Sequence, residues 1–372
     1  MNKRPNLQAV HLELDQLYAR SCRCHDSLGY PINLDLAFLE PLSRFLLFGF
    51  NNLGNPFEDN TFPLCSWAYE REVLDFVAKL YHFPVDQDYH GYITGGGSEA
   101  NLQGLLVARE YYPNGILYFS QDSHYSVPKA AHLLRMSHHI VPSLNNGEID
   151  YNALAEAILQ YSNQPVILSL NIGTTMKGAI DSIDRIMEIL AQTKTEHYYI
   201  HCDAALFGMM LPFLELDQVK YPDFRYPIQS LAISGHKFMG CPFPSGIILT
   251  RSIPEAKHIA YVDTLDTTIS GSRNGHSPLI LWYILQVKGE AGLKQEVQTC
   301  LSNAHYLYQQ LKQHNYPCQL NPHSNIVLLK PPPRALSKKW DLAIEGDWAH
   351  IVVMQHVTRA QLDLFLADLL AL

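Results

Sequence analysis

Five short apolar runs recur through the middle of this chain, at residues 117–120, 165–170, 198–202, 230–233 and 245–250. Runs of this length without polar alternation read as strands buried on both faces, which requires a sheet covered by helices on each side. Stretches of helical character lie between several of them, at 127–136, 151–161 and 182–192. Strand and helix in alternation predict an α/β fold with a doubly wound, mostly parallel sheet.

In an open sheet of that kind, ligands sit beyond the carboxyl ends of the strands. Two chemistry-bearing residues fall there: Asp203 ends the 198–202 run, and Lys237 follows 230–233 in Ser234-Gly235-His236-Lys237. A lysine that has lost water at a strand end has a lowered pKa and a nucleophilic amine. Pyridoxal phosphate needs such a lysine for its aldehyde and a carboxylate for its ring nitrogen. Taken singly, the lysine also reads as a solvated loop residue and the aspartate as a turn or cap residue.

A third block separates these readings. Thr94-Gly95-Gly96-Gly97-Ser98 precedes a predicted helix over 98–110, so glycines bring backbone close to an anion at the helix N-terminus. No Gly-Lys-Ser/Thr follows and the pattern is not GxGxxG, so neither nucleotide motif applies. A flexible turn before a helix is the alternative. His124, after the 117–120 strand, is placed to stack on a planar ring or donate a proton, or else to serve as a satisfied loop histidine.

The net charge of −9 argues against nucleic-acid and anionic-membrane partners, which select clustered Lys and Arg. No apolar run approaches 18 residues and Met1-Asn2-Lys3-Arg4-Pro5 leads into no apolar stretch, so a cytoplasmic protein is expected. Seven scattered cysteines form no disulfide framework, and the 18 histidines include no HExxH and no Cys/His quartet, so no metal is expected. Loosely amphipathic helix is expected over 1–27 and further helix over 34–50 and 66–81. Residues 257–275 read as a long functional loop, and a helix over 279–313, interrupted near 289–292, opens a smaller α+β unit. The expected organisation is a helical segment over 1–55 packing on a partner protomer, a large domain over 56–275 and a small domain over 276–372.

The order and spacing of several blocks resemble one family. These are Asn51-Asn52-Leu53-Gly54, Gly91-Tyr92-Ile93-Thr94 with its glycine turn, Ser123-His124-Tyr125-Ser126, Asn171-Ile172-Gly173-Thr174-Thr175, His201-Cys202-Asp203-Ala204-Ala205-Leu206, Ser234-Gly235-His236-Lys237 and Gly271-Ser272-Arg273-Asn274-Gly275-His276. Together they resemble the pyridoxal-phosphate-dependent group II amino-acid decarboxylases, of the aspartate aminotransferase-like fold (fold type I). Within that group the likeness is to the branch of Gram-negative bacterial histidine decarboxylases and plant serine decarboxylases, and it runs from about residue 28 to the C-terminus.

The resemblance implies that Lys237 carries the cofactor and Asp203 pairs with its ring nitrogen. His124 would stack on one ring face and Ala205 on the other. Gly96, Gly97, Ser98, Ser234 and His236 would hold the phosphate, with Thr175 near the ring oxygen. Tyr261, on the loop after the lysine, is the implied proton donor, with a plain loop tyrosine as the other reading. Asn52, Phe207 and Leu265 are the implied substrate-side positions, and Phe207 and Leu265 depart from the residues usual in the branch. A homodimer with its active site at the interface is implied. So is decarboxylation of an L-amino acid, with histidine and serine both open as substrates. An aminotransferase would need an arginine clamp, for which Arg273, Arg334 and Arg359 are candidates. A catalytically dead homologue acting as a binding protein is the remaining alternative.

Overall fold

The computed structural model describes residues 7–58, 61–214, 220–253 and 256–371. The chain opens with helix α1 (Leu7–Cys22), in which no residue is buried, and a 3-10 segment over Ala37–Leu47. Helix α2 (Trp67–Leu80) buries Val73, Leu74 and Val77 at helical spacing.

The large unit then alternates as the apolar runs require: β1 (His90–Thr94), α3 (Gly97–Tyr111), β2 (Ile116–Ser120), α4 (Ser126–Leu133), β3 (His138–Val141), α5 (Tyr151–Gln160), β4 (Val166–Asn171), α6 (Ile183–Gln192), β5 (Tyr198–Asp203), β6 (Ser230–Ser234) and β7 (Gly246–Thr250). Helices start where side chains satisfy their free N–H groups: Asp150 caps α5 and Ser182 caps α6. The seven strands lie in the order β1-β7-β6-β5-β4-β2-β3. All run parallel except β7, which is antiparallel to both its neighbours. Strands β2, β4 and β6 are buried along their whole length, the expected signature of a sheet covered on both faces.

Residues 257–275 are not only loop. They contain the short antiparallel pair β8 (Lys257–Ile259) and β9 (Thr264–Asp266), closed through Asp263 at φ 54°. Three-residue strands with exposed polar positions carry too little periodicity to be read from sequence.

Helix α7 (His276–Gln313) leads to the small unit and is broken at Gly289, whose φ of 58° is not helical. Next come β10 (Cys318–Leu320), β11 (Ile326–Leu329), α8 (Arg334–Lys339), β12 (Ala343–Glu345), β13 (Trp348–Val352) and α9 (Arg359–Leu370). The four strands form an antiparallel sheet in the order β10-β11-β13-β12. The segment around Leu28 packs on this sheet of its own chain: Leu28 N–H donates to the Trp340 carbonyl and the Leu28 carbonyl accepts from Val352 N–H. Among the described residues no helix is long and apolar enough to cross a membrane.

Candidate active site

Four adjacent parallel strands, β2, β4, β5 and β6, end at one cleft. His124 follows β2, Asn171 ends β4 with Gly173, Thr174 and Thr175 beyond it, Asp203 ends β5, and Lys237 follows β6. Register keeps them together, since Asn171 pairs with Asp203 and Asp203 with Ala232. The cleft, counted to its open mouth, encloses about 680 Å³. Its far wall comes from Gly29, Tyr30 and Pro31 and from the small unit's Ile326, Ala343, His350 and Val352.

Burial pushes the Lys237 amine below the usual lysine range, against the pull of Asp203. Burial likewise lowers His124, opposed by Asp203 and reinforced by Lys237 and Lys129. His236 is lowered by burial too, while its Nδ1 lies 2.8 Å from the Ser245 carbonyl oxygen. Asp203 is 6% exposed and accepts at 2.7 Å from Asn101 Nδ2 and at 3.1 Å from Ala205 N–H. It forms no salt bridge with any described residue.

A buried carboxylate without a salt-bridge partner at the cleft fits the protonated ring nitrogen of pyridoxal phosphate. The glycine turn fits the phosphate. Gly96 has φ 151°, and a Cβ on Gly97 would collide with Ser234 Oγ, so backbone lies close against β6 where α3 begins. Ser98 is exposed in that first turn. A half-buried lysine, a buried carboxylate and a glycine cradle at the strand ends of a doubly wound sheet define a pyridoxal-phosphate site.

The chain belongs to the pyridoxal-dependent decarboxylase family, whose conserved domain matches residues 54–328. It is 45% identical to serine decarboxylase 2 of Oryza sativa subsp. japonica over 92% of this chain and 73% of that one. Identity to the histidine decarboxylase of Solanum lycopersicum is 43%, over 92% of this chain and 84% of that one. The structure of L-methionine decarboxylase from Streptomyces sp. 590 superposes with a TM-score of 0.87 at 27% identity, covering 96% of this chain and 94% of that one. The protein is a pyridoxal-phosphate-dependent amino-acid decarboxylase of fold type I.

The structure brings His124, Thr175, Asp203, Ala205 and Lys237 to the cleft. Outside the expected phosphate cradle, four expected site residues do not line it within this chain. Asn52 is fully buried, donating to Glu70 at 2.6 Å and accepting from Ser66 N–H at 2.8 Å. Phe207 is fully buried beneath the turn, where a Cβ on Gly173 would stand 2.8 Å from its ring. Leu265 lies on β9, with its N–H on Glu58 Oε2 at 2.8 Å. Tyr261, between β8 and β9, is 79% exposed.

Other residues escaped the sequence reading. Asn101 and His201 are buried polar groups on the facing surfaces of α3 and β5. The signal for them was a polar side chain on an otherwise buried face. Asp181, pushed up to about 6 by burial, pins Asn171 from below through its backbone N–H at 2.7 Å and its Nδ2 at 2.9 Å.

Proposed function

We propose that the decarboxylase acts on L-serine or L-histidine, releasing ethanolamine or histamine with carbon dioxide. The convergence of Lys237, Asp203 and His124 on one cleft carries the decarboxylase reading, and similarity to both serine and histidine decarboxylases supports this pair of substrates.

Pyridoxal phosphate supplies the electron sink that accepts the bond pair left behind by carbon dioxide. Each residue then has a physical task. Lys237, with its amine free of a proton more readily than an exposed lysine, is the nucleophile that holds the cofactor's aldehyde. Asp203 keeps the ring nitrogen protonated through a charge-assisted bond. His124 and Ala205 wall the two ring faces, which orients the scissile bond. The protein works as a cytoplasmic homodimer, in which α1 covers the partner and the β8–β9 hairpin reaches the partner's cleft. Tyr261 then gives its hydroxyl proton to the substrate's α-carbon, and Leu265 borders the substrate. The exposure of every α1 residue and of Tyr261 supports that arrangement.

An aminotransferase reading lacks its clamp. Arg273 is 6% exposed and spent on an ion pair with Glu70, and none of Arg273, Arg334 and Arg359 lines the cleft. A panel of L-amino acids, followed for carbon dioxide and amine together, tests the proposal. Turnover of serine or histidine alone is expected. Turnover of neither, with cofactor bound, would overturn the substrate assignment.

A further inference from the structure

Asn101 has one orientation compatible with its partners. Its Nδ2 donates to Asp203 Oδ2 at 2.7 Å and to Ser126 Oγ at 2.9 Å, while Oδ1 faces His201 Nε2 at 3.0 Å. A flipped amide would set oxygen against a carboxylate. Since Oδ1 only accepts, His201 carries its proton on Nε2, and its Nδ1 accepts from Ser230 Oγ at 2.8 Å. Burial lowers the His201 pKa to about 4, so a single ring proton is its resting state.

The same amide reaches a second histidine. Ser126 Oγ accepts from Asn101, so its own proton is free for His124 Nδ1, 2.7 Å away. Ser126 N–H faces that nitrogen too, at 3.3 Å. Two donors on Nδ1 leave the His124 ring proton on Nε2. Asn101 is 1% exposed, and its single amide nitrogen bonds both Asp203 and Ser126.

We propose that Asn101 is a positioning residue whose single amide fixes both the orientation of Asp203 toward the cofactor's ring nitrogen and the Nε2–H tautomer of His124. The proposal rests on the reading of Asp203 and His124 as the cofactor's partners. It goes beyond that reading by making two residues of the cleft depend on one side chain that does not line it.

The test compares Ser126→Ala with Asn101→Ala, using Asn101→Ser as a milder replacement should the alanine variant fail to fold. In cofactor-free protein labelled with 15N-histidine, the His124 signals, assigned by their loss in His124→Gln, report the tautomer without any turnover. Both variants are expected to move them from the Nε2–H pattern to a mixture. Titration of pyridoxal phosphate into the same proteins separates the two arms. Ser126→Ala should leave cofactor Kd within about twofold and lower kcat, whereas Asn101→Ala should raise Kd about tenfold, the usual effect of losing a bond to a charged group. Unchanged His124 signals in the Asn101 variant, or equal Kd changes in the two variants, would overturn the proposal. Failure of the natural protein to bind pyridoxal phosphate would overturn the site reading first, and the proposal with it.

Discussion

His350 Nε2 lies 3.0 Å from the carbonyl oxygen of Gly29, joining β13 to a segment 321 residues earlier in the chain. Its Nδ1 lies 3.1 Å from the Met176 carbonyl oxygen. Three segments of the cleft wall thus meet on one imidazole. A neutral ring satisfies only one of these acceptors, and a protonated ring satisfies both.

Burial lowers the His350 pKa, and the two carbonyls only partly offset it. A lowered histidine pKa means that the unfolded chain binds the proton more readily, so this contribution to stability is present above the ordinary histidine pKa. It is lost as pH falls through that value toward the folded pKa. The melting temperature of the natural protein should therefore drop more between pH 7.5 and 5.5 (~2 units spanning the free histidine value) than that of His350→Gln. Parallel curves for the two proteins would refute this.

Glu70 and Arg273 form an ion pair with side chains almost wholly buried. Glu70 also accepts from Ile93 N–H at 2.7 Å and from Asn52, and Arg273 donates to the Gly54 carbonyl at 3.1 Å. Removing one partner strands a buried charge. Glu70→Ala should cost about 3–5 kcal/mol in urea unfolding, and a loss under ~1 kcal/mol would show that the arginine finds water instead.

A Cβ on Gly97 would meet the Ser234 hydroxyl, while the Cβ atoms of Ser234 and Ala205 would stand at ordinary contact distance, 3.8 and 3.9 Å. Gly97→Ala forces the Ser234 hydroxyl out of its place beside the turn, at a cost of up to roughly 1–3 kcal/mol, where the phosphate is held. The expected result is a cofactor Kd raised about tenfold or more, read by absorbance titration. A variant that binds as the natural protein does would move the phosphate elsewhere.

Since burial lowers the Lys237 amine, capture of the cofactor's aldehyde should rise with pH through a midpoint below that of a free lysine. Stopped-flow absorbance of the stripped protein against pH measures that midpoint. Lys237→Ala should abolish the covalent signal while cofactor still binds through Asp203 and the glycine turn. A midpoint at or above the free value would mean that Lys237 is solvated.

Legibility in the sequence followed burial. Strands β2, β4, β5, β6 and β7 were readable because both their faces are covered, leaving apolar runs. Edge strand β3 carries exposed and half-buried positions with two histidines, and β12 lacks a buried residue, so neither shows an apolar run. Lys237, Asp203 and His124 were legible because they stand at strand ends. Asn101, His201 and His350 were not, since their partners lie on other elements and no local pattern marks such pairings. Phe207 shows the converse: a side chain two residues from Ala205 turns under the cleft floor rather than into it.

The far wall of the cleft has a consequence for how the protein is made. Ribosomes deliver the reactive amine of Lys237 well before Ile326, Ala343, His350 and Val352, the residues that enclose it. A nascent chain that has reached β7 owns the nucleophile but not its shelter, and an aldehyde bound there is open to hydrolysis. Durable loading with cofactor is therefore a late event in biogenesis, following the docking of β13 against the segment around Leu28.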